Sequence, residues 1–368
     1  MNISGIIVEY NPFHNGHIRH ITMTRQITDC DLLIAVTSGN FCQRGDVSVM
    51  DKFEKTEAAL NHGIDLVVEL PFIYTLQNAS VFGKRSVDIL ASLGINNLVF
   101  GSETANIDEL KKMAELSINI DHLKEIMNTG LSYPKSYGLL ASELYPNDIL
   151  AVSYLRALQK YPDIKAIPIE RNSEYHSIEL NEICSASAIR NAIKENRDYS
   201  KSTPVQIKEA HFIDELYPYL RNLLLTMDKK ELSSMFLVNE GIENLMIKNA
   251  LKYTDYNDFL NNTVSRRYTR ARIQRTIVNI LLQNKKETVL KLPEMNYIRV
   301  LGFNEKGQNF LRNYHNENIK IVTQFKNIPE QYKDIEWKAS IIYSSLLNDS
   351  NAYLKKELRG PVIKKGLY

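Results

Sequence analysis

The stretch Ile3-Ser4-Gly5-Ile6-Ile7-Val8-Glu9-Tyr10-Asn11-Pro12-Phe13-His14-Asn15-Gly16-His17 decides the reading of this chain. It begins as a short apolar run, the pattern of a strand covered on both faces, and ends in a polar turn. A helical pattern over 17–28 follows at once. Working outward, similar runs recur at 31–36, 65–70, 97–101 and 164–169, with helical patterns at 52–62, 79–93, 105–128 and 148–160. Strand and helix in alternation predict an α/β fold on a doubly wound parallel sheet. Ligands of such sheets bind beyond the carboxyl ends of the strands, so chemistry is expected in the turns that follow them.

The chain has 368 residues, enough for two domains. After about residue 195 strands become scarce, and a polar linker at 196–204 ends in Pro204. Helical patterns then run over 205–227, 229–236, 241–252, 256–262 and 266–283. A strand-like pair at 297–301 and 319–323 flanks a helix at 305–313. The expected division is an α/β domain over 1–195 and a mainly helical domain over 196–368. Charge divides the same way. The first part holds 17 Lys+Arg against 24 Asp+Glu, the second 28 against 19. The basic part is the candidate for a polyanionic partner.

Cys30, Cys42 and Cys184 include no Cys-x-x-Cys pair, which argues against a structural zinc site and for a reducing compartment. No apolar stretch approaches the ~18 residues of a membrane span. The N-terminus lacks the basic and apolar regions of a signal peptide. A cytoplasmic globular protein without a membrane partner is the expectation.

His14-Asn15-Gly16-His17 stands where the first strand turns into a helix. A helix N-terminus offers unpaired N–H groups and partial positive charge to a phosphate. Gly16 allows close approach of the backbone to a nucleotide. His14 and His17 can donate to phosphate oxygens and steady the charge that develops when an α-phosphate is attacked. A capping pair, or a metal-binding pair, is the alternative. No nearby Cys or carboxylate completes a ligand set, so no metal site is assigned.

Residues 11–17 resemble the ATP-binding motif of the HIGH-type nucleotidyltransferase superfamily, whose members transfer AMP or CMP and release pyrophosphate. The superfamily's second element, a Ser/Thr-x-x-Arg at a helix start that holds the β and γ phosphates, is similar to Ser187-Ala188-Ile189-Arg190. Further blocks resemble one bacterial family, the tRNA(Met) cytidine acetate ligases: 37–46, 65–71, 100–103, 146–151, 266–275 and 301–307. They span most of the chain.

The resemblance implies specific roles. ATP would lie along residues 7–20, with Ile7, Val8, Glu9, Tyr10, Asn11, Pro12, Phe13, Asn15, Gly16 and His20 as contacts and His14 and His17 as catalytic groups. Gly101, Asn147 and Arg171 are implied as further ATP contacts, beside Ser187 and Arg190. The family usually carries Asn-Asn where this chain has Asn147-Asp148, and Asn147 is taken as the contact because a carboxylate there would face phosphates. ATP, with Mg²⁺, and acetate are the implied small substrates. Elongator tRNA(Met) is the implied acceptor, becoming N4-acetylcytidine at its wobble position through an acetyl-adenylate.

Read from the residues themselves, Gly101 is equally a turn glycine, and Arg171 on the ligand side of the sheet favours a phosphate or carboxylate partner. Ser38-Gly39-Asn40 reads as a plain loop ahead of an acyl pocket, and Tyr175-His176 as an ordinary loop. Arg266, Arg267, Arg270, Arg272 and Arg275 suit phosphate oxygens, with Tyr268 placed to stack on a splayed base and Ile273, Ile277, Ile280 and Leu281 as the buried stripe. A solvated, salt-bridged helix is the alternative. Lys355, Lys356, Arg359, Lys364 and Lys365 either extend that surface or form a solvated tail. The competing functions are an adenylyltransferase of a small phosphorylated acceptor and a non-catalytic RNA-binding protein with a relic nucleotide fold.

Overall fold

The computed structural model describes residues 1–115, 145–171 and 182–365. Five strands of the first part lie side by side and parallel: β1 (Ile3–Val8), β2 (Leu32–Ser38), β3 (Leu66–Leu70), β4 (Asn97–Ser102) and β5 (Lys165–Glu170). Their order in the sheet is β5-β4-β1-β2-β3. The order reverses at β1, which makes the end of β1 the crevice where a doubly wound sheet binds its ligand. The turn after Val8 is therefore placed by topology as well as by sequence.

Alternation along each strand feeds two cores. Ile6, Val8, Leu33, Ala35 and Val67 face one side; Ile3, Ile7, Leu32, Ile34, Leu66 and Val68 face the other. Fully burying each such side chain is worth about 1.5–3 kcal/mol. The helices of this part are α1 (Asn15–Thr28), α2 (Lys52–Asn61), α3 (Phe72–Thr75), α4 (Ala79–Ser92), α5 (Ile107–Glu115), α6 (Pro146–Leu158) and α7 (Ala186–Lys194). The helical pattern expected over 105–128 is seen to Glu115; its remainder, like Tyr175-His176, lies outside the described residues.

The second part is helical only at first, through α8 (Tyr217–Thr226), α9 (Lys229–Ser234), α10 (Ile242–Lys252), α11 (Tyr256–Thr263), α12 (Arg270–Leu281) and α13 (Lys286–Leu290). The chain then returns to the sheet. β6 (Tyr297–Phe303) pairs antiparallel with β3, and β7 (Lys320–Val322) and β8 (Val362–Ile363) pair parallel with β6. The division expected at residue 195 is thus crossed by one eight-stranded sheet. α14 (Glu305–Asn313), α15 (Glu330–Ser344) and α16 (Ser350–Leu358) are the remaining α-helices among the described residues. Among the described residues no helix is long and apolar enough to cross a membrane.

A buried ionic knot fastens this return. Lys52 Nζ lies 2.9 Å from both Glu69 Oε1 and Glu357 Oε1. Arg299 Nη1 lies 2.9 Å from Glu69 Oε2 and 2.7 Å from Glu357 Oε1. Ser38-Gly39-Asn40 belongs to this region. Asn40 hydrogen-bonds Tyr353, and a Cβ on Gly39 would fall 2.6 Å from Glu69 Oε1. Ser38 ends β2, and only Gly39 and Asn40 lie in the loop; none of the three lines the nucleotide cavity described next.

Candidate active site

Beyond the end of β1 opens a cavity of about 530 Å³. His14 caps α1, and the two histidines share the work. The Gly16 N–H donates to His14 Nδ1 at 3.0 Å, and the His14 N–H donates to His17 Nδ1 at 3.1 Å. The arrangement is a capping box written with imidazoles. A Cβ on Gly16 would meet the His14 ring at 2.8 Å, so the glycine is what lets that ring fold back.

This cap fixes the chemistry of both rings. Nδ1 of each accepts a backbone hydrogen bond, so in the neutral ring the proton sits on Nε2. Burial, then the positive charges of Arg171 and Arg190, push His14 down to about 3. His17 is held well below its ordinary value by burial, His14 and Arg171. Both rings line the cavity as neutral Nε2–H donors. The capping alternative and the phosphate reading are therefore compatible. His20, also on the wall, is pushed down to about 4 by burial and Arg171, and its buried Nε2 has no partner among the described residues.

The second element closes on the first. Ser185, not Ser187, caps α7 by accepting from the Ala188 N–H at 3.1 Å. Ser187 sits in the first turn, where Arg190 Nη2 donates to its hydroxyl at 3.1 Å. Arg190 Nη1 reaches the Asn11 carbonyl oxygen. On the other flank, Arg171 Nη1 donates to Asn147 Oδ1 at 3.3 Å, and a Cβ on Gly101 would lie 3.2 Å from Arg171 Cγ. Asp148 is fully buried, accepting from the Ser102 hydroxyl and the Glu103 N–H, while Asn147 lines the cavity.

Of the residues expected at the nucleotide, Ile7, Val8, Glu9, Tyr10, Asn11, His14, Gly16, His17, His20, Gly101, Asn147, Arg171, Ser187 and Arg190 line this one cavity. Pro12, Phe13 and Asn15 do not. Phe13 is core, packed edge-on to Tyr10, and Asn15 Nδ2 donates to the carbonyls of Glu182 and Lys201. Sequence reasoning missed Cys42, Gln43, Arg44 and Asp46, which line the cavity after β2. They lie in the family-like block 37–46, to which the sequence assigns no contact, and they too follow the end of a strand.

The arginine run is corrected in part. α12 begins at Arg270, capped by Thr269, so Arg266 and Arg267 precede the helix and are exposed. Ile273, Ile277, Ile280 and Leu281 are buried as expected. Tyr268 is not a stacking platform: it is buried, donates to the Glu240 carbonyl at 2.6 Å, and carries Arg272 over its ring. Arg272 pairs with Glu240 at 3.2 Å, and Arg270 bonds Asn261. Arg275 alone of the five lines the cavity. Among the C-terminal lysines, Lys356 pairs with Asp51 and Lys364 donates to the Leu60 carbonyl.

A crevice at the strand-order reversal, with an imidazole-capped helix and a Ser-x-x-Arg helix meeting across it, defines a nucleotidyltransferase of the HIGH class. The family model described as HIGH Nucleotidyl Transferase matches residues 1–358. Within that class the chain belongs to the tRNA(Met) cytidine acetate ligase family. It is 35% identical to the ligase of that name from Oceanobacillus iheyensis, over 99% of this chain and 100% of the relative. It is 33% identical to that from Bacillus subtilis, over 94% and 92%. The Thermotoga maritima protein TmcAL superposes with a TM-score of 0.91 without ligand and 0.88 with alpha-thio ATP bound. Both comparisons are at 28% identity and cover 100% of each chain.

Proposed function

We propose that this protein joins acetate to ATP as acetyl-adenylate and passes the acetyl group to the wobble cytidine of elongator tRNA(Met), giving N4-acetylcytidine. One observation carries the reading: two backbone-capped histidines, each with an Nε2–H left to donate, share a single cavity with Ser187, Arg190, Asn147 and Arg171. The site residues are those of that cavity.

An acetate oxygen attacks the α-phosphorus, and pyrophosphate leaves with the bonding pair. His14 and His17 donate to the phosphate oxygens on which charge grows. Because both rings are neutral, this donation needs no proton release, and it gains strength where water is thinned. Ser187 and Arg190 hold the outgoing phosphates. The cytosine amine then takes the acetyl group, and AMP leaves. Mg²⁺ accompanies ATP as a phosphate-bound ion, which calls for no all-protein cage. Among the described residues no three His, Cys, Asp or Glu groups are placed to hold a metal, and no step here is routed through one.

We assign ATP and catalysis to residues 1–195 and tRNA to residues 196–368, whose arginines border the cavity through Arg275. The compartment that goes with this reading is the cytoplasm, where a tRNA acceptor is met. The test is exchange of labelled pyrophosphate into ATP by the purified protein. Exchange that requires acetate, together with N4-acetylcytidine in tRNA by mass spectrometry, is the expected result. Exchange that ignores acetate and needs a phosphorylated acceptor would favour a small-molecule adenylyltransferase. No exchange at all would leave an RNA-binding relic.

A further inference from the structure

The cavity reaches to both sides of β1, a first lobe beside β4 and β5 and a second beside β2. Gly101 and Arg171 stand at the ends of β4 and β5, on one side of β1; Gln43, Arg44 and Asp46 follow β2, on the other. Glu9 stands between them, one residue beyond the end of β1. The start of α12, with Thr269, Ala271 and Arg275, packs against the loop after β2 and lines the same lobe. Loop and helix are closely fitted. A Cβ on Gly45 would come within 2.5 Å of the Arg275 amide nitrogen, and Gln274 Nε2 donates to Asp46 Oδ1 at 2.6 Å. Arg275 Nη1 donates to the Gln43 carbonyl at 3.3 Å. The lobe is therefore walled by both parts of the chain and carries cationic groups.

Glu9 has one oxygen anchored. Its Oε1 accepts the Gln43 N–H at 2.6 Å, and no donor among the described residues reaches Oε2. Lys55 of α2 bonds the Glu9 main-chain oxygen at 3.0 Å rather than its carboxylate. The charged and titratable groups around it are Lys55, Arg44, Asp46, the Cys42 thiol and, from α6, the Tyr154 hydroxyl. Burial raises the carboxyl above its ordinary range, against the pull of the Gln43 N–H, Lys55 and Arg44. A carboxylate so placed has no proton to take in the first half-reaction, because acetate arrives already deprotonated and needs no base.

The second half-reaction does need one. The exocyclic amine of cytosine is conjugated with its ring and scarcely basic, so it must lose a proton as it attacks. Resting on the acetyl-transfer reading above, we infer that this second lobe receives the acceptor cytosine and that Glu9 is the general base for its amine. The amine nitrogen bonds to the acetyl carbon, and the acyl carbon–oxygen bond to AMP breaks with its electron pair on the phosphate. The amine proton passes to Glu9 and from there to solvent. Arg275 at the lobe wall would meet the phosphate of the inserted nucleotide. Cytosine must leave its stack to enter, as bases do in enzymes that modify them.

Glu9→Gln is the decisive substitution, because it keeps an oxygen for the Gln43 N–H and removes only the capacity to take a proton. Single-turnover acetyl transfer to tRNA should fall by about 10² or more, the usual worth of a positioned base. Acetate-dependent pyrophosphate exchange should fall by at least about tenfold less than transfer does. Transfer by the unmodified enzyme should rise with pH along one ionisation above the ordinary carboxylate range, and Glu9→Gln should lose that limb. Equal losses in exchange and transfer, an undiminished transfer rate, or a persisting limb would overturn the assignment. Should Glu9→Gln fail to fold, Glu9→Asp decides: a displaced limb with slowed transfer supports the base, and an unmoved limb at full rate overturns it. An unmodified protein that neither exchanges with acetate nor acetylates tRNA would instead refute the ligase reading on which this one rests.

Discussion

Arg190 Nη1 donates to the main-chain oxygen of Asn11 at 2.6 Å, pinning the helix of the second phosphate element to the turn of the first. The same guanidinium holds Ser187 through Nη2. Two segments 179 residues apart are thereby set in register before any nucleotide arrives. Pre-set geometry of this kind is what lowers the cost of reaching a transition state.

Arg190→Lys tests that pinning. Lysine keeps the charge but not the fork that reaches both oxygens. Pyrophosphate exchange should fall by about tenfold or more, and the variant should also melt lower, since a hydrogen bond to a charged group contributes about 1.5–3 kcal/mol. Exchange kinetics and a thermal melt check both. Unchanged kinetics with a lowered melt would make Arg190 purely structural.

The histidines separate catalysis from capping. His17→Ala should cut turnover by about 10² or more. His14→Ala should do the same and also destabilise α1 by about 1 kcal/mol, the usual loss on removing an N-cap. His14→Asn restores an acceptor for the Gly16 N–H, so it should recover stability without recovering turnover. Denaturant midpoints and exchange rates, measured side by side, distinguish the two roles.

Much of this site was legible in the sequence, and the limits have physical causes. The apolar runs at 3–9, 31–36 and 65–70 fall on β1, β2 and β3 within two residues, because strands buried on both faces leave little freedom in composition. The capping role was weighed for His14 and His17, but not that capping orients them for chemistry; that depends on which ring nitrogen the backbone occupies. Tyr268 misled because arginines surrounding a tyrosine look alike whether the ring faces water or the core. The return of the chain as β6, antiparallel to β3, was also hidden. Its residues read as a strand, but nothing local says which edge a strand joins.

The depressed histidines make a prediction about acid. Each imidazole is neutral in the folded protein and protonates near its ordinary value once unfolded. Stability from this source is fully present above about pH 6.5 and is lost as pH falls towards 4 and 3, because the unfolded state takes up the protons first. Each unit of displacement is about 1.4 kcal/mol, so the combined loss amounts to several kcal/mol. Urea midpoints should drop steeply between pH 6.5 and 5. A flat profile there would show that the rings are not held neutral.

The ionic knot predicts two opposite outcomes. Glu357→Gln leaves Lys52 and Arg299 short of a carboxylate in a buried place, which typically costs about 3–5 kcal/mol. Glu336, beside the knot, is pushed up to about 8 by burial and by Glu69, so it is protonated at neutral pH. A raised carboxyl subtracts stability as pH climbs from about 4.5 to about 8, because the unfolded chain has already released that proton. Glu336→Gln should therefore match the unmodified protein at pH 5 and exceed it at pH 9. Denaturant titrations at those two values decide it.

The arginine run divides into groups with different expected phenotypes. Arg266 and Arg267 are exposed before α12 and have no ion-pair partner among the described residues. Exposed guanidinium groups not already held in an ion pair are the ones that release counterions when a phosphate backbone arrives. Arg266→Ala with Arg267→Ala should weaken tRNA binding and flatten the salt dependence by about 0.7–0.9 of a log unit per log unit of salt for each phosphate no longer neutralised. Arg272 differs, because it already pairs with Glu240 and covers Tyr268. Arg272→Ala should lower stability by about 1 kcal/mol or less, as for other exposed pairs, with a smaller effect on the salt slope. Arg275, on the cavity wall, should affect the rate of acetyl transfer more than tRNA affinity. Binding measured at several salt concentrations, set against single-turnover transfer, separates all three. If the 266–267 double variant keeps both affinity and slope, tRNA does not lie on this face.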